Sequence, residues 1–299
     1  MSAVAIPAGF EARVLRDEPM SKHTSWRVGG PADVWFTPRD VLDLSAFLRS
    51  LPQSVPVTWV GLGSNLLVRD GGIRGVVISV HGILNALERV GPDRVRAEAG
   101  VACARLGRQC ARWQLGPADF FAGIPGTVGG ALAMNAGAWG GETWPRVAEV
   151  ETIDRAGERH RRQASEYRYG YRSITPPVPG EWFLAATFRF DTRPDASTDS
   201  IKRLLEVRHA KQPIGEPSCG SVFTNPPGGH AADLIERAGL KGHRIGGAQV
   251  SDKHANFILN TGSATAADIE ALIAHVRATV KRVHGLHLVP EVRMVGEAA

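Results

Sequence analysis

The 299-residue sequence has few cysteines, no long apolar run and only three tyrosines, and each scarcity limits what the chain can be. The cysteines, Cys103, Cys110 and Cys219, are odd in number and match no common zinc spacing, so we expect free thiols in a reducing compartment and no bound metal. The longest apolar runs are far shorter than the roughly 20 residues that span a bilayer. The first residues lack a basic start followed by an apolar core, so we expect no signal peptide and a cytoplasmic protein.

Positive charge is only mildly in excess. The net charge is +5, hydrophobic residues make up 43% and charged residues 22%, which is typical of a globular protein of two or three compact units. The basic residues are scattered and no nucleic-acid motif accompanies them, so we expect no nucleic-acid partner. A general attraction for anionic small molecules remains open.

The common nucleotide-binding motifs are also missing. VGLGSN, at 60–65, follows a predicted strand, but Leu66 stands where a dinucleotide fingerprint continues towards a third glycine. A turn whose N–H groups bind phosphate and an ordinary tight turn both remain possible there. GIPGTVGG, at 123–130, is not followed by Gly-Lys-Ser/Thr, so it is not a P-loop. No Gly-x-Ser-x-Gly elbow surrounds Ser221, which argues against a hydrolase.

What the chain does contain is an uncharged segment, GIPGTVGGALAMNAGAWGG, at 123–141, in which seven of 19 residues are glycine. A flexible linker of this glycine content normally carries polar residues between the glycines. Because glycine lets a backbone approach a neighbour closely, the segment favours a surface laid against a large flat or phosphate-bearing ligand. The alternative is a buried loop with tight crossings of its own chain.

Periodicity predicts a mixture of strands and helices, and therefore an α+β fold. The clearest helix is 266–284, whose apolar residues recur at i, i+3, i+4 and i+7, with Thr265 and Asp268 as a capping box and Gly285 as its end. Other predicted helices lie at 41–51, with Asp40 as the cap, and at 102–114, 200–211 and 231–238. Predicted strands lie at 32–37, 57–60, 75–80, 95–99, 147–153, 182–190, 220–225, 256–260 and 289–295.

Three side chains are the candidates for chemistry. Arg172 lies in YRYGYRS, which holds all three tyrosines, and its guanidinium suits a carboxylate or an enolate, although surface packing is an alternative. Ser221 lies in a turn of small residues in CGSVFTNP. Glu291 stands between apolar residues in VPEVR, where burial would raise its pKa, unless it pairs with Arg293 or another cation.

Seven segments occur in one order from about Thr24 to Val295: TSWRVGGPA, GLGSNLLV, GIPGTVGGALAMNAGAWG, YRYGYRS, KQP followed by CGSVFTNP, GLKGHRIGGAQVSDKHANFILN, and PEVR. Together they closely resemble the UDP-N-acetylenolpyruvoylglucosamine reductase family, flavoenzymes of peptidoglycan precursor synthesis. The resemblance implies a two-subdomain FAD-binding unit of the vanillyl-alcohol-oxidase type, at 1–80 and 81–195, and a C-terminal α+β substrate-binding domain at 196–299. The cofactor contacts that it implies are Arg27, Gly29, Gly61, Gly63, Ser64, Asn65, Gly123, Ile124, Pro125, Gly126, Gly129, Gly130, Asn135, Gly137 and Ala138.

The resemblance also implies the reaction: NADPH reduces the bound FAD, which then reduces an enolpyruvyl ether carried by a UDP-sugar. Arg172 and a protonated Glu291 would stabilise the developing enolate, and Ser221 would supply the proton. Lys211, Asn225 and Arg293 would bind the substrate. A monomer or weak oligomer is expected. An FAD-linked oxidase of small alcohols and a non-catalytic nucleotide-binding protein remain as alternatives.

The sequence departs from the family pattern in two places. Thr224 stands where a basic residue is common, which puts one diphosphate contact in doubt. No tyrosine follows Tyr171, so we expect the shorter subgroup, which lacks an inserted tyrosine loop over the substrate.

Overall fold

The computed structural model describes residues 4–299. Its six α-helices are α1 Val41–Ser50, α2 Cys103–Arg112, α3 Val128–Met134, α4 Thr198–Lys211, α5 Ala231–Arg237 and α6 Ala266–His284. Its strands are β1 Val14–Pro19, β2 Pro31–Phe36, β3 Val57–Val60, β4 Leu66–Val68, β5 Ile73–Ser79, β6 Leu87–Arg89, β7 Arg94–Glu98, β8 Leu115–Gly116, β9 Gly137–Ala138, β10 Gly141–Glu142, β11 Val147–Ile153, β12 Arg159–Gln163, β13 Arg168–Gly170, β14 Ser173–Thr175, β15 Trp182–Arg189, β16 Asp191–Thr192, β17 Arg244–Ile245, β18 Ala248–Val250, β19 Ile258–Asn260 and β20 Arg293–Val295.

Local signals determine the helices that the sequence predicts best. Asp40 accepts a hydrogen bond from the Asp43 N–H and caps α1 as predicted. At α6 the Thr265 hydroxyl accepts from the Asp268 N–H, and the Asp268 carboxylate accepts from the Thr265 N–H, so the predicted capping box is confirmed. Gly285 ends α6 in the left-handed conformation, at φ 71°, as a C-terminal glycine commonly does.

The chain divides into two compact units, and the first contains residues 4–15, 34–62 and 75–205. Its largest sheet has the strand order β12–β11–β15–β7–β6, antiparallel throughout. The parallel pair β3–β5 belongs to a four-stranded sheet with the order β1–β2–β5–β3. Helices α2 and α3 pack on a core that includes Phe121, Leu132, Trp144 and Phe188, all almost completely buried.

The second unit contains residues 16–33, 63–74 and 206–299. Strand β20, near the end of the chain, pairs in parallel with β4, so that Arg293 lies opposite Leu66. The indole N–H of the fully buried Trp26 donates to the Ile258 carbonyl at 2.7 Å, and the Asn260 amide donates to the Trp26 carbonyl at 2.9 Å. Short N-terminal segments are therefore part of the same core as α5 and α6.

The structure overturns one predicted strand, shortens the one predicted at 289–295 to β20, and adds several elements, among them β1, β12 and α3. The strand predicted at 220–225 is wrong, because only Phe223 forms an isolated bridge, with Pro290. The N–H and C=O of Phe223 bond to the Asn256 side chain instead of to a neighbouring strand. Helix α3 forms inside the glycine-rich segment, where periodicity gave no helix signal. The domain boundaries after residues 80 and 195 remain a proposal.

Candidate flavin and substrate site

Helix α3 gives the glycine-rich segment 123–141 a fixed backbone. The Thr127 hydroxyl accepts from the Gly130 N–H and caps the helix. The Val128 and Gly129 N–H groups donate to the carbonyls of Val101 and Ala99. These first N–H groups of α3 are thus bonded within the protein and are not free donors for a phosphate.

Several glycines in this segment are required by the packing of the protein itself. A Cβ on Gly137 would lie 2.2 Å from the Gly141 carbonyl oxygen, and one on Gly123 would lie 2.7 Å from the Ala138 Cβ. A Cβ on Gly129 would lie 3.0 Å from the Ala99 Cβ. At these three positions the interpretation as a tight crossing of the chain is sufficient.

Gly130 is different, because it is exposed and its Cβ would meet nothing closer than the Thr127 hydroxyl, at 3.7 Å. Ala133, one turn later on α3, is exposed as well, so this side of the helix is smooth. The exposed Pro125 precedes α3 and the exposed Trp139 follows it. Small exposed residues that packing does not require, such as Gly130 and Ala133, suit the close approach of a flat ligand such as the isoalloxazine ring of FAD.

The remaining predicted cofactor residues of the first unit are mostly covered. Ile124 is buried, whereas Gly126 and Ala138 are half-buried. Gly61 faces Thr127, whose hydroxyl would lie 2.8 Å from an added Cβ. Thr127, which is buried, therefore fixes this segment from within, and the sequence analysis missed it, although Thr before a helix is a recognisable capping signal.

Arg172 lies at the tip of a hairpin formed by β13 and β14, with Gly170 opposite Ser173. Its backbone is left-handed, at φ 54°, a conformation that costs a non-glycine residue about 1–2 kcal/mol. The guanidinium donates to the Gly137 carbonyl at 2.9 Å and lies over the Tyr171 ring. The hairpin thus directs a permanently charged group towards the glycine-rich segment.

Asn135 ends α3 in the left-handed conformation and is fully buried. Its amide nitrogen donates to Glu142 and to the Gly170 carbonyl, and its oxygen accepts from the Trp144 N–H. Both amide hydrogens are therefore used within the protein. A cofactor contact of Asn135 remains a prediction for its backbone alone.

In the second unit, the predicted cofactor residues Arg27 and Gly29 lie in a turn before β2. Arg27 is exposed and left-handed, and its N–H donates to the Thr24 carbonyl. Gly29 has φ 126°, and a Cβ there would lie 2.8 Å from the Val68 Cβ. A Cβ on Gly63 would lie 1.9 Å from the His23 carbonyl oxygen. Both glycines are needed for close packing.

The segment that carries Ser221 is fixed by Asn256. The Phe223 N–H donates to the Asn256 side-chain oxygen at 3.0 Å, and the Asn256 amide donates back to the Phe223 carbonyl at 2.8 Å. The Val222 N–H donates to the Asn256 backbone carbonyl. Ser221 is half-buried and follows Gly220, whose φ is 80°. No local pattern indicates Asn256, because it lies 33 residues from Phe223.

Glu291, Asn65 and Arg293 come together in the second unit. The Glu291 N–H donates to the Val222 carbonyl, next to Ser221. The Asn65 amide donates to the Glu291 carbonyl, and the Arg293 N–H donates to the Asn65 carbonyl. Burial raises the pKa of the Cys219 thiol well above its ordinary value. The backbone bond to Val222 places Glu291 next to the Ser221 segment.

The other predicted contacts of the second unit lie nearer the surface. Lys211, Asn225 and Arg293 are exposed, and Ser64 is half-buried. The Asn225 side chain accepts from the Ala231 N–H at the start of α5, so it also has a structural role. The Thr224 hydroxyl donates to the Val289 carbonyl at 3.2 Å.

Within residues 4–299, no cluster of three His, Cys, Asp or Glu side chains could hold a metal ion. No helix in that range is both long and apolar enough to cross a membrane.

Two family models match the chain. The model of an FAD binding domain matches residues 32–162, and that of the UDP-N-acetylenolpyruvoylglucosamine reductase C-terminal domain matches 212–295. The enzyme of this name from Alkalilimnicola ehrlichii is 61% identical over 284 residues, 94% of each chain. The chain belongs to the UDP-N-acetylenolpyruvoylglucosamine reductase family. The family member from Methylococcus capsulatus is 54% identical and covers 99% of this chain and 98% of its own.

The structural comparison agrees with this family. The crystal structure of UDP-N-acetylenolpyruvylglucosamine reductase from Thermus caldophilus superposes with a TM-score of 0.79 at 33% identity, covering 94% of this chain and 98% of its own. The predicted α+β fold with an FAD-binding part and a C-terminal domain is confirmed. The chain is a flavin-dependent oxidoreductase. The roles of the individual site residues remain predictions.

Proposed function

We infer that this protein reduces the enolpyruvyl ether of UDP-N-acetylglucosamine to UDP-N-acetylmuramate, with NADPH as reductant and FAD as bound cofactor. The reaction belongs to peptidoglycan precursor synthesis. The observation that carries this inference is the match to a reductase over 94% of both chains. The oxidase alternative is disfavoured, because such an enzyme needs no C-terminal domain of the reductase type.

Bound FAD supplies hydride transfer, which amino-acid side chains cannot perform. The protein's part is to hold the substrate and to manage the charge and the proton. Reduction of the enolpyruvyl group adds hydride at the terminal carbon, and negative charge then develops on the carboxylate side. Arg172 stabilises that charge, since its guanidinium stays protonated and donates several hydrogen bonds.

Ser221 supplies the proton to the carbon next to the ether oxygen, and Glu291 donates a hydrogen bond as a neutral acid. The backbone bond from Glu291 to Val222 supports its place beside Ser221. The fixed backbone at Phe223 supports the role of Ser221, because a proton donor must be held in reach of its acceptor. Lys211, Asn225 and Arg293 bind the UDP part of the substrate.

We also propose a cytoplasmic location and a monomer or weak oligomer with no nucleic-acid partner. All three cysteines are free and buried, as suits a reducing compartment. Sedimentation of the purified protein at several concentrations would measure the oligomeric state.

The experiment is a pair of anaerobic half-reactions. NADPH is added to the purified holoenzyme until the flavin is bleached, and the enolpyruvyl substrate is then added. We expect the oxidised flavin spectrum to return and UDP-N-acetylmuramate to form. If the colour returns only when air is admitted, and does so quickly, the oxidase alternative is correct. If neither addition changes the spectrum, the protein is not catalytic.

A further inference from the structure

The hairpin that carries Arg172 is too small to fix its own position. Strands β13 and β14 form only three residue pairs, and most of their residues are exposed. A two-stranded hairpin of this size is marginally stable in water. The left-handed backbone of Arg172 adds strain at the tip. Contacts from outside the hairpin must therefore hold the guanidinium in place.

A closed ring of three hydrogen bonds, one strand pairing and the chain itself provides such contacts. The Asn135 amide donates to the Gly170 carbonyl at 2.8 Å, at the end of β13 next to the tip. It also donates to the Glu142 carboxylate at 3.0 Å, and Glu142 pairs with Gly137 between β10 and β9. The Gly137 carbonyl accepts from Arg172 at 2.9 Å, which closes the ring. Asn135 thus links Gly170, which is next to the tip, to Gly137, whose carbonyl holds the Arg172 guanidinium.

The Asn135 side chain is itself held firmly. The Asn135 oxygen accepts from the Trp144 N–H at 3.0 Å, and the Trp144 indole donates to the Leu132 carbonyl at 2.8 Å. Asn135 is completely buried, and both the nitrogen and the oxygen of its side-chain amide are hydrogen-bonded. Its orientation is therefore fixed by its partners.

We propose that Asn135 is a positioning residue for Arg172: it orients the guanidinium for the substrate half-reaction and has no direct role in the chemistry. This proposal rests on the proposed function, which assigns Arg172 to the enolate. The resemblance places Asn135 only among the cofactor contacts, and the proposal gives it a role in the substrate half-reaction. Glu142 is the second member of the same ring.

The test variant is Asn135→Gly, because glycine keeps the left-handed backbone at φ 47° while it removes the amide. We expect unchanged reduction by NADPH and an unchanged flavin spectrum. Flavin oxidation by the substrate should slow roughly 10- to 100-fold, as expected for a displaced charged group. The matched control is Thr143→Val, which deletes the buried hydrogen bond to the Ala136 carbonyl but no bond to the hairpin. The control should leave both half-reactions unchanged.

A double-mutant cycle separates positioning from general loosening. In the Arg172→Ala background, followed by slow single turnovers, Asn135→Gly should cause no further loss. The same factor of loss in both backgrounds would overturn the proposal, and so would equal slowing of both half-reactions or no slowing at all. If wild-type flavin is not oxidised by the substrate, it is the proposed function that fails.

Hydrogen exchange provides a readout without turnover. In Asn135→Gly, amides of residues 168–175 should exchange faster than in Thr143→Val. If Asn135→Gly does not fold, Glu142→Ala removes one partner of the same amide and should show the same pattern to a smaller degree. Unchanged exchange and unchanged rates in the variant that folds would refute the proposal.

Discussion

The Arg172 hairpin of the first unit and the Ser221 segment of the second are both held by a buried asparagine, but through different bonds. Asn256 binds the N–H and the C=O of Phe223 and accepts from the Val222 N–H, so three bonds fix the segment next to Ser221. Asn135 makes a single bond to the hairpin, at Gly170. The comparison suggests that Ser221 is fixed by its backbone, whereas Arg172 depends on several single contacts.

The largest effect is expected at Ser221. Ser221→Ala leaves the fixed backbone intact and removes the proton donor, so the substrate half-reaction should fall about 10³-fold, a typical contribution of general acid catalysis. Stopped-flow spectra should show normal reduction by NADPH. Ser218→Ala, in the same segment, is the matched control and should behave as wild type. Equal loss in both half-reactions would argue against a proton donor.

Arg172→Lys tests the less firmly held region. Lysine keeps the charge but lacks the planar fork and cannot reproduce both the bond to Gly137 and the contact with substrate. We expect the substrate half-reaction to slow by roughly 100-fold, the usual loss for one group that stabilises an oxyanion. Arg168→Lys in the same hairpin should have little effect. If Arg172→Lys slowed the substrate half-reaction more than Ser221→Ala does, the reaction would depend more on the Arg172 hairpin than on the Ser221 segment.

Asn256→Ala should make the second region as loose as the first. It leaves the Phe223 N–H and C=O buried and unpaired, so the free energy of unfolding should decrease by about 2 kcal/mol. Urea denaturation followed by tryptophan fluorescence would measure this. Asn225→Ala, which removes an exposed helix cap, should cost about 1 kcal/mol. Similar costs for the two variants would mean that Asn256 does not fix the segment.

The smallest effect is expected for Glu291→Gln, since glutamine still donates a hydrogen bond. The substrate half-reaction should slow only about tenfold, in proportion to the weaker donor. Stopped-flow spectra of flavin oxidation by the substrate would measure this, and abolition of the half-reaction would indicate that Glu291 transfers a proton.

Sequence reasoning worked where the determining contacts are local. Thr265, Asp268 and Gly285 lie within or next to α6, so its ends could be read directly. Strand β11 at 147–153 was likewise bounded by its own turn residues. The strand predicted at 220–225 failed because its backbone partner is a side chain 33 residues away.

The site could be read only in part, for a similar reason. The glycine-rich segment signalled close approach, but not that its own chain fills the space at Gly123, Gly129 and Gly137. Arg172, Ser221 and Glu291 came mainly from the order of seven motifs, because no local pattern distinguishes them from surface residues. Asn135 and Asn256 act on residues 35 and 33 positions away, and such pairs leave no periodic signal.

The parallel pairing of β4 with β20 has a consequence for synthesis of the chain. Leu66 leaves the ribosome long before its partner Arg293, which is followed by only six residues. Translation proceeds at about 5–20 residues per second, so the early strand waits on the order of ten seconds or more without its neighbour. Nascent chains therefore expose an unpaired apolar strand edge, and a chaperone that covers it would increase the yield of folded protein.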